Sequence, residues 1–207
     1  MPSTTQSELD GRSVPTAEGD GDNLSPTISD RDPASTWVFG YGSLMCNGWE
    51  TNLGCLRRLL AELSGYRRTF SKLSVRNWGT REAPCPTLNL EKADFESCWG
   101  IAFEFPDRSW NEVLNYLSDR EGRDFALREL PIRVEGEGEV MAFAPVYDGR
   151  NVLQSSTLQA TASMVVTASG TKGACSVYVR GIAEELVKLG IDDPVVAELW
   201  KAVKGLA

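Results

Sequence analysis

The 207-residue chain contains no histidine. Within it, Ser-His-Asp and Cys-His nucleophilic catalysis, HExxH metal hydrolysis and histidine-ligated iron are therefore excluded. Proton transfer must fall to a carboxylate, Tyr, Lys, Cys or a terminal amine. Two stretches offer chemistry on those terms. In WVFGYGSLM, residues 37–45, an apolar run breaks at two glycines flanking Tyr41. Such a break brings the backbone close to another chain segment or a ligand. A dinucleotide loop would need a third glycine where Met45 stands, and Ser43 lacks the GxSxG frame of a nucleophile elbow. What remains is a tight loop with backbone N–H groups able to face an anion such as a carboxylate, or a plain turn after a buried strand.

The second stretch is YLSDREGRDF, residues 116–125. Its Glu121 closes a helix just ahead of Gly122, at the negative end of the helix dipole, which disfavours a carboxylate by about 0.3–1 kcal/mol when exposed. If buried there, its pKa would rise toward the range of a general base; if exposed, it is an ordinary solvated side chain. Asp119, Asp124 and Glu129 compete for the same role.

The elements that must position these stretches are legible in outline. After Trp37, residues Asn52–Leu63 carry leucines near helical spacing, which predicts a short helix or irregular turn. Gly65–Val75 reads as a strand with long basic stems, and Pro86–Glu91 and Cys98–Phe105 as paired strands. Pro106-Asp107 caps a helix with Trp110, Val113, Leu114 and Leu117 on one face. GEG between Leu130–Glu135 and Glu139–Tyr147 is a hairpin signal. Residues 149–175 predict a loop with some helix. Ser176–Leu189 is an amphipathic helix ended by Gly190, and Asp193-Pro194 opens a last helix. Together these predict an α+β domain whose sheet curls, or closes into a small barrel, with helices outside.

Residues 1–36 hold eleven Ser/Thr, four Pro and seven acidic against two basic side chains, and few large apolar residues, Leu9 and Leu24 among them. Such a segment buries too little to offset its ordering entropy and predicts a disordered tail, leaving 37–207 as the domain. The net charge of −8 argues against a nucleic-acid scaffold, since counterion release needs a basic face, and most of it lies in the tail, which leaves the domain close to neutral. No apolar stretch is long enough for a membrane span and no signal pattern opens the chain. Five scattered cysteines without CxxC suggest a reducing, cytoplasmic compartment, no disulfide framework and no zinc site.

In order, WVFGYGSLM, GTREAPCPTLNL, CWGIAFEF, EVLNYLSDREGRDF, VMAFAPVYD and KGACSVYVRGIAEELVKLGIDDP resemble the ChaC family of γ-glutamylcyclotransferases, from Trp37 to about Leu199. The most specific motifs are YGSL and the REG that ends a helix. The resemblance implies a small mixed β-barrel with surrounding helices and the YGSL loop at its mouth. It implies cleavage of glutathione into 5-oxoproline and cysteinylglycine, without metal or cofactor. On this reading Tyr41, Gly42, Ser43 and Leu44 hold the γ-glutamyl carboxylate, Glu121 is the catalytic carboxylate, and Tyr147 is a pocket tyrosine. The partner is a small molecule, glutathione or a related γ-glutamyl compound. The chain departs from the family at Cys46, where an aromatic is usual, at Ala83-Pro84-Cys85-Pro86, at Phe125, where Tyr is common, and across GRNVLQSSTLQA. Those departures keep open a non-catalytic γ-glutamyl-binding domain and a cyclotransferase for other γ-glutamyl amines or amino acids.

Overall fold

The computed structural model describes residues 35–121 and 124–206. The tail expected over residues 1–36 lies outside them up to residue 34. Strand β1 (Ser35–Gly40) is followed by two 3-10 turns, Ser43–Met45 and Trp49–Leu53. Long strands β2 (Arg57–Ser74) and β3 (Cys85–Pro106) lead to helix α1 (Trp110–Glu121) and the hairpin β4 (Phe125–Val134) and β5 (Gly138–Tyr147). Helix α2 (Leu158–Thr167), a small ribbon of β6 (Ser169–Gly170) and β7 (Gly173–Ala174), and helices α3 (Cys175–Lys188) and α4 (Pro194–Leu206) complete the order.

The first five strands close a barrel in the order β1-β3-β2-β4-β5. It is mixed, because β1 runs antiparallel to β3 but parallel to β5, with Trp37 opposite Ala142. Closure leaves no open sheet edge. Phe39, Ile101, Phe103 and Phe105 are fully buried together with Leu63 and Ile132, each contributing about 1.5–3 kcal/mol of burial. Helix α1 joins this core through Val113 and Leu117, and Trp110 meets Phe143 with ring centroids 4.7 Å apart. The predicted caps are present at α4, where Asp193 Oδ1 accepts the Val196 amide at 3.0 Å, and at the end of α3, where Gly190 has φ 68°.

Three expectations are corrected. Residues 57–63, expected in a helix or turn, are strand, because Leu59, Ala61 and Leu63 also satisfy a period of two and pair with Ala102, Gly100 and Cys98 of β3. The segments 86–91 and 98–105 do not pair with each other; they are the two ends of the single strand β3, both pairing with β2. Cys85 and Cys175, separated by 90 residues, form a disulfide with Cα atoms 5.7 Å apart. Spacing along the chain could not reveal it, since the barrel and α3 bring the two together only after folding.

Candidate active site

The chain leaves β1 at Gly40, and the two glycines of the opening motif serve different ends. A Cβ on Gly40 would stand 2.9 Å from Phe103 Cε2 and 3.0 Å from Leu44 Cβ, so Gly40 is small because other chain segments press on it. Gly42 faces a cavity of about 400 Å³, where a Cβ would approach Leu88 and the Tyr178 hydroxyl.

Between them the loop is held by its carbonyls. Tyr41 O accepts from Arg68 Nε at 2.6 Å, Ser43 O from Arg120 Nη2 at 2.7 Å, Leu44 O from Trp49 Nε1 at 2.8 Å, and Met45 O from Arg58 Nη2 at 2.7 Å. Gly42 O takes the Met45 amide at 2.9 Å, closing the 3-10 turn. The first amides of such a turn have no partner within it. The C=O and N–H of a trans peptide point in opposite directions, so the Gly42 N–H faces away from the buried Arg68 and the Ser43 N–H away from the turn. The Leu44 N–H lies opposite the carbonyl that Arg120 holds. Among the described residues the Gly42, Ser43 and Leu44 amides make no backbone hydrogen bond, which leaves them as the donors an anion requires.

Glu121, the last residue of α1, lines the same cavity with its side chain 16% exposed. Burial pushes its carboxyl above the ordinary value, against the pull of Arg120, Lys72 and Lys172. Its rivals Asp119, Asp124 and Glu129 are exposed and line no part of the cavity. The Tyr41 ring is buried and its hydroxyl donates to Pro145 O at 2.8 Å, so the loop's tyrosine anchors β1 to β5. Burial raises the pKa of Tyr41 and of Tyr178, which keeps both neutral.

Tyr147 is not among the cavity's lining residues. It packs edge-on against Phe125, ring centroids 5.3 Å apart, and its hydroxyl accepts the Asn151 amide at 3.1 Å. Phe125 stands in front of it as cavity wall. Tyr41, Gly42, Ser43, Leu44 and Glu121 are therefore brought together, and Tyr147 is one layer behind.

Sequence reasoning missed four side chains. Arg68 is buried and joins Tyr41 O to Asp193 Oδ2, the latter at 2.5 Å. Arg120, in the last turn of α1, turns inward to Ser43 O and to the Tyr116 hydroxyl, each at 2.7 Å. Tyr178 receives the Leu88 amide at 3.1 Å. Lys72, read as one of several basic stems, lines the cavity. The paired arginines in GYRRTF were the available signal for Arg68; an alternating strand points one of two neighbours inward. Among the described residues no group of three or more potential metal-ligating side chains is gathered, and no helix is long and apolar enough to cross a membrane.

Comparison with known proteins identifies the family. The model of the ChaC-like protein family matches residues 36–206. Gamma-glutamylcyclotransferase 2-3 of Arabidopsis thaliana is 30% identical over 178 residues, covering 81% of this chain and 88% of the relative. The glutathione-specific gamma-glutamylcyclotransferase of Escherichia coli K12 is 28% identical, covering 92% of this chain and 82% of its own. The crystal structure of a glutathione-specific gamma-glutamyl cyclotransferase from yeast superposes with a TM-score of 0.73 at 19% identity, over 84% of this chain and 99% of that one, a likeness of fold.

Proposed function

Because the chain belongs to the ChaC-like protein family, we propose that it is a γ-glutamylcyclotransferase that cleaves glutathione into 5-oxoproline and cysteinylglycine. The observation that carries this reading is the meeting of the Tyr41–Leu44 loop and the half-buried Glu121 on one cavity. In a γ-glutamyl peptide the amine and the amide carbonyl it attacks belong to one residue. The substrate supplies proximity itself, and the site need only select the folded conformer. The neutral α-amine attacks the γ-carbonyl carbon and closes a five-membered lactam. The bond to the cysteinyl nitrogen breaks as Glu121 takes the amine's proton and passes it to that nitrogen. No water is consumed, and one carboxylate serves both transfers. The amides of Gly42 and Ser43 hold the substrate's α-carboxylate, with Tyr41 and Leu44 fixing the loop behind them.

The catalytic unit opens at Ser35, where β1 begins and pairs with Pro106 of β3, two residues ahead of the boundary expected from composition. Millimolar glutathione belongs to reducing compartments, which favours a cytoplasmic setting; there the Cys85–Cys175 pair, wholly buried, is shielded from thiolate attack.

The test is incubation of the protein and of Glu121→Gln with millimolar glutathione, following 5-oxoproline and cysteinylglycine by mass spectrometry. Turnover that falls at least about 10²-fold in the variant supports the reaction and its base. Well-folded protein that binds γ-glutamyl compounds without releasing 5-oxoproline would make it a binding domain.

A further inference from the structure

The charged side chains lining the cavity are Lys72, Arg120, Lys172 and Glu121, three cations against one carboxylate. Arg120 is occupied by Ser43 O, the Tyr116 hydroxyl and Glu121. Lys172 is exposed on the β6–β7 ribbon, where solvent and salt screen it. Lys72 is different. It is half-buried, and among the described residues its ammonium makes no hydrogen bond or ion pair. It rests instead 4.6 Å above the Phe125 ring and 5.4 Å from the Tyr147 ring. Burial lowers its pKa, while Glu121 and Asp124 act to keep it charged.

The backbone delivers this lysine to the cavity by an irregularity. Between Thr69 and Lys72 strand β2 takes three steps while β3, from Asn89 to Thr87, takes two. Bulges of this kind re-aim side chains and gather next to active sites. A half-buried ammonium without an anionic partner is costly in an empty site and is justified by a ligand that brings the anion.

Glutathione in its reactive form, with a neutral amine, carries two carboxylates. One is that of the γ-glutamyl residue, for which the Gly42–Ser43 amides are the seat. The cavity's excess of two positive charges matches both. Resting on the cyclotransferase reading above, we propose that Lys72 binds the second, glycyl carboxylate and makes the site selective for γ-glutamyl peptides with a free C-terminus over neutral γ-glutamyl amines. Phe125, the apolar platform beneath the ammonium, holds the lysine stem extended toward that end of the substrate.

The experiment compares glutathione with its C-terminal carboxamide, γ-glutamyl-cysteinyl-glycinamide, on the full chain and on Lys72→Met, Lys72→Arg and Lys172→Met. Two readouts are taken: kcat/KM from 5-oxoproline release, and Kd by calorimetry in a Glu121→Gln background. The native lysine is expected to favour glutathione over the amide by about tenfold or more, the scale of a charge-assisted hydrogen bond. Lys72→Met, which keeps the stem's packing, brings the ratio to within about twofold. Lys72→Arg restores most of it, and Lys172→Met leaves the larger part. Equal handling of the two compounds by the native chain overturns the assignment. So does a ratio that survives Lys72→Met or disappears in Lys172→Met. A Lys72→Met variant that loses activity equally on both compounds, with a displaced pH profile, would mean that the lysine acts on Glu121 and not on substrate. Absence of 5-oxoproline release from both compounds by the native chain overturns the assignment together with the cyclotransferase reading, whereas turnover without discrimination overturns the assignment alone.

Discussion

Arg120 Nε lies 3.4 Å from Glu121 Oε1, although neighbours on a helix normally diverge. The same guanidinium donates to Ser43 O at 2.7 Å. One side chain therefore touches both halves of the site, holding the loop by its carbonyl and the carboxylate by its charge. Its Nε is buried with no hydrogen-bond partner among the described residues, so part of its donor capacity faces the Glu121 carboxylate without satisfying it.

The pH profile should report this contact. Burial raises the Glu121 pKa, and Arg120 heads the groups that oppose it, ahead of Lys72 and Lys172. Arg120→Gln removes the opposing charge, so the pKa rises further. The acidic limb of kcat/KM for 5-oxoproline release is expected to move to higher pH. An unmoved limb would mean that Arg120 serves the loop alone.

Stability should respond in the opposite sense to activity at Glu121. A carboxyl whose folded pKa lies above its ordinary 4.5 stabilises the fold fully below that value, and the contribution is lost as pH rises through the folded pKa. Glu121→Gln is therefore expected to melt higher than the native chain at pH 7, with the gap closing toward pH 4.5. Thermal denaturation across that range measures it; a variant less stable at pH 7 would contradict the burial of the charge.

Arg68 sits at the junction of loop and last helix. Arg68→Met leaves the Tyr41 carbonyl without its donor and Asp193 without its cation. A loss of about 3 kcal/mol or more in urea unfolding is expected, the scale for breaking a buried pair from one side. Turnover should fall as well, because the loop loses the anchor behind Gly42.

Gly40→Ala should cost about 1–3 kcal/mol, as overpacking does, since the new methyl meets Phe103 and Leu44 at 2.9 and 3.0 Å. Gly100→Ala is expected to cost more: its Cβ would collide with the Gly40 carbonyl, rigid backbone that cannot swing aside. Equilibrium unfolding of the two variants orders them.

The disulfide spans 90 residues and joins the start of β3 to the start of α3. Cys85→Ala with Cys175→Ala is expected to lower stability by about 2–4 kcal/mol. Thermal melting of the double variant against the oxidised chain checks it.

Much of the fold was legible because its elements are locally consistent. The α1 face, the GEG turn and the Asp193-Pro194 cap each combine pattern with punctuation. Residues 57–63 were not, because leucines spaced for a helix also fit a strand, and only the β3 partner decides. Glu121 was legible as a carboxylate out of place at a helix end, and its burial follows only from the tertiary fold. Lys72 was hidden by equivalence: Arg67, Arg68 and Lys72 read alike along the strand, whereas a bulge and a disposition of faces separate a solvated stem, a buried clamp and a cavity cation.

The four clamps on the loop's carbonyls come from Trp49, Arg58, Arg68 and Arg120, and the strand that delivers the loop is paired with β5 more than a hundred residues away. Contacts of such separation form late, after the loop-closure entropy of the intervening chain has been met. A partly folded chain can already show helices α3 and α4, yet the loop has only its local clamp from Trp49 until β2 and α1 bring Arg58, Arg68 and Arg120 to its other carbonyls. Recovery of activity during refolding should therefore lag behind recovery of helical signal, and a chain cut between β1 and β5 should regain function only if its fragments reassociate.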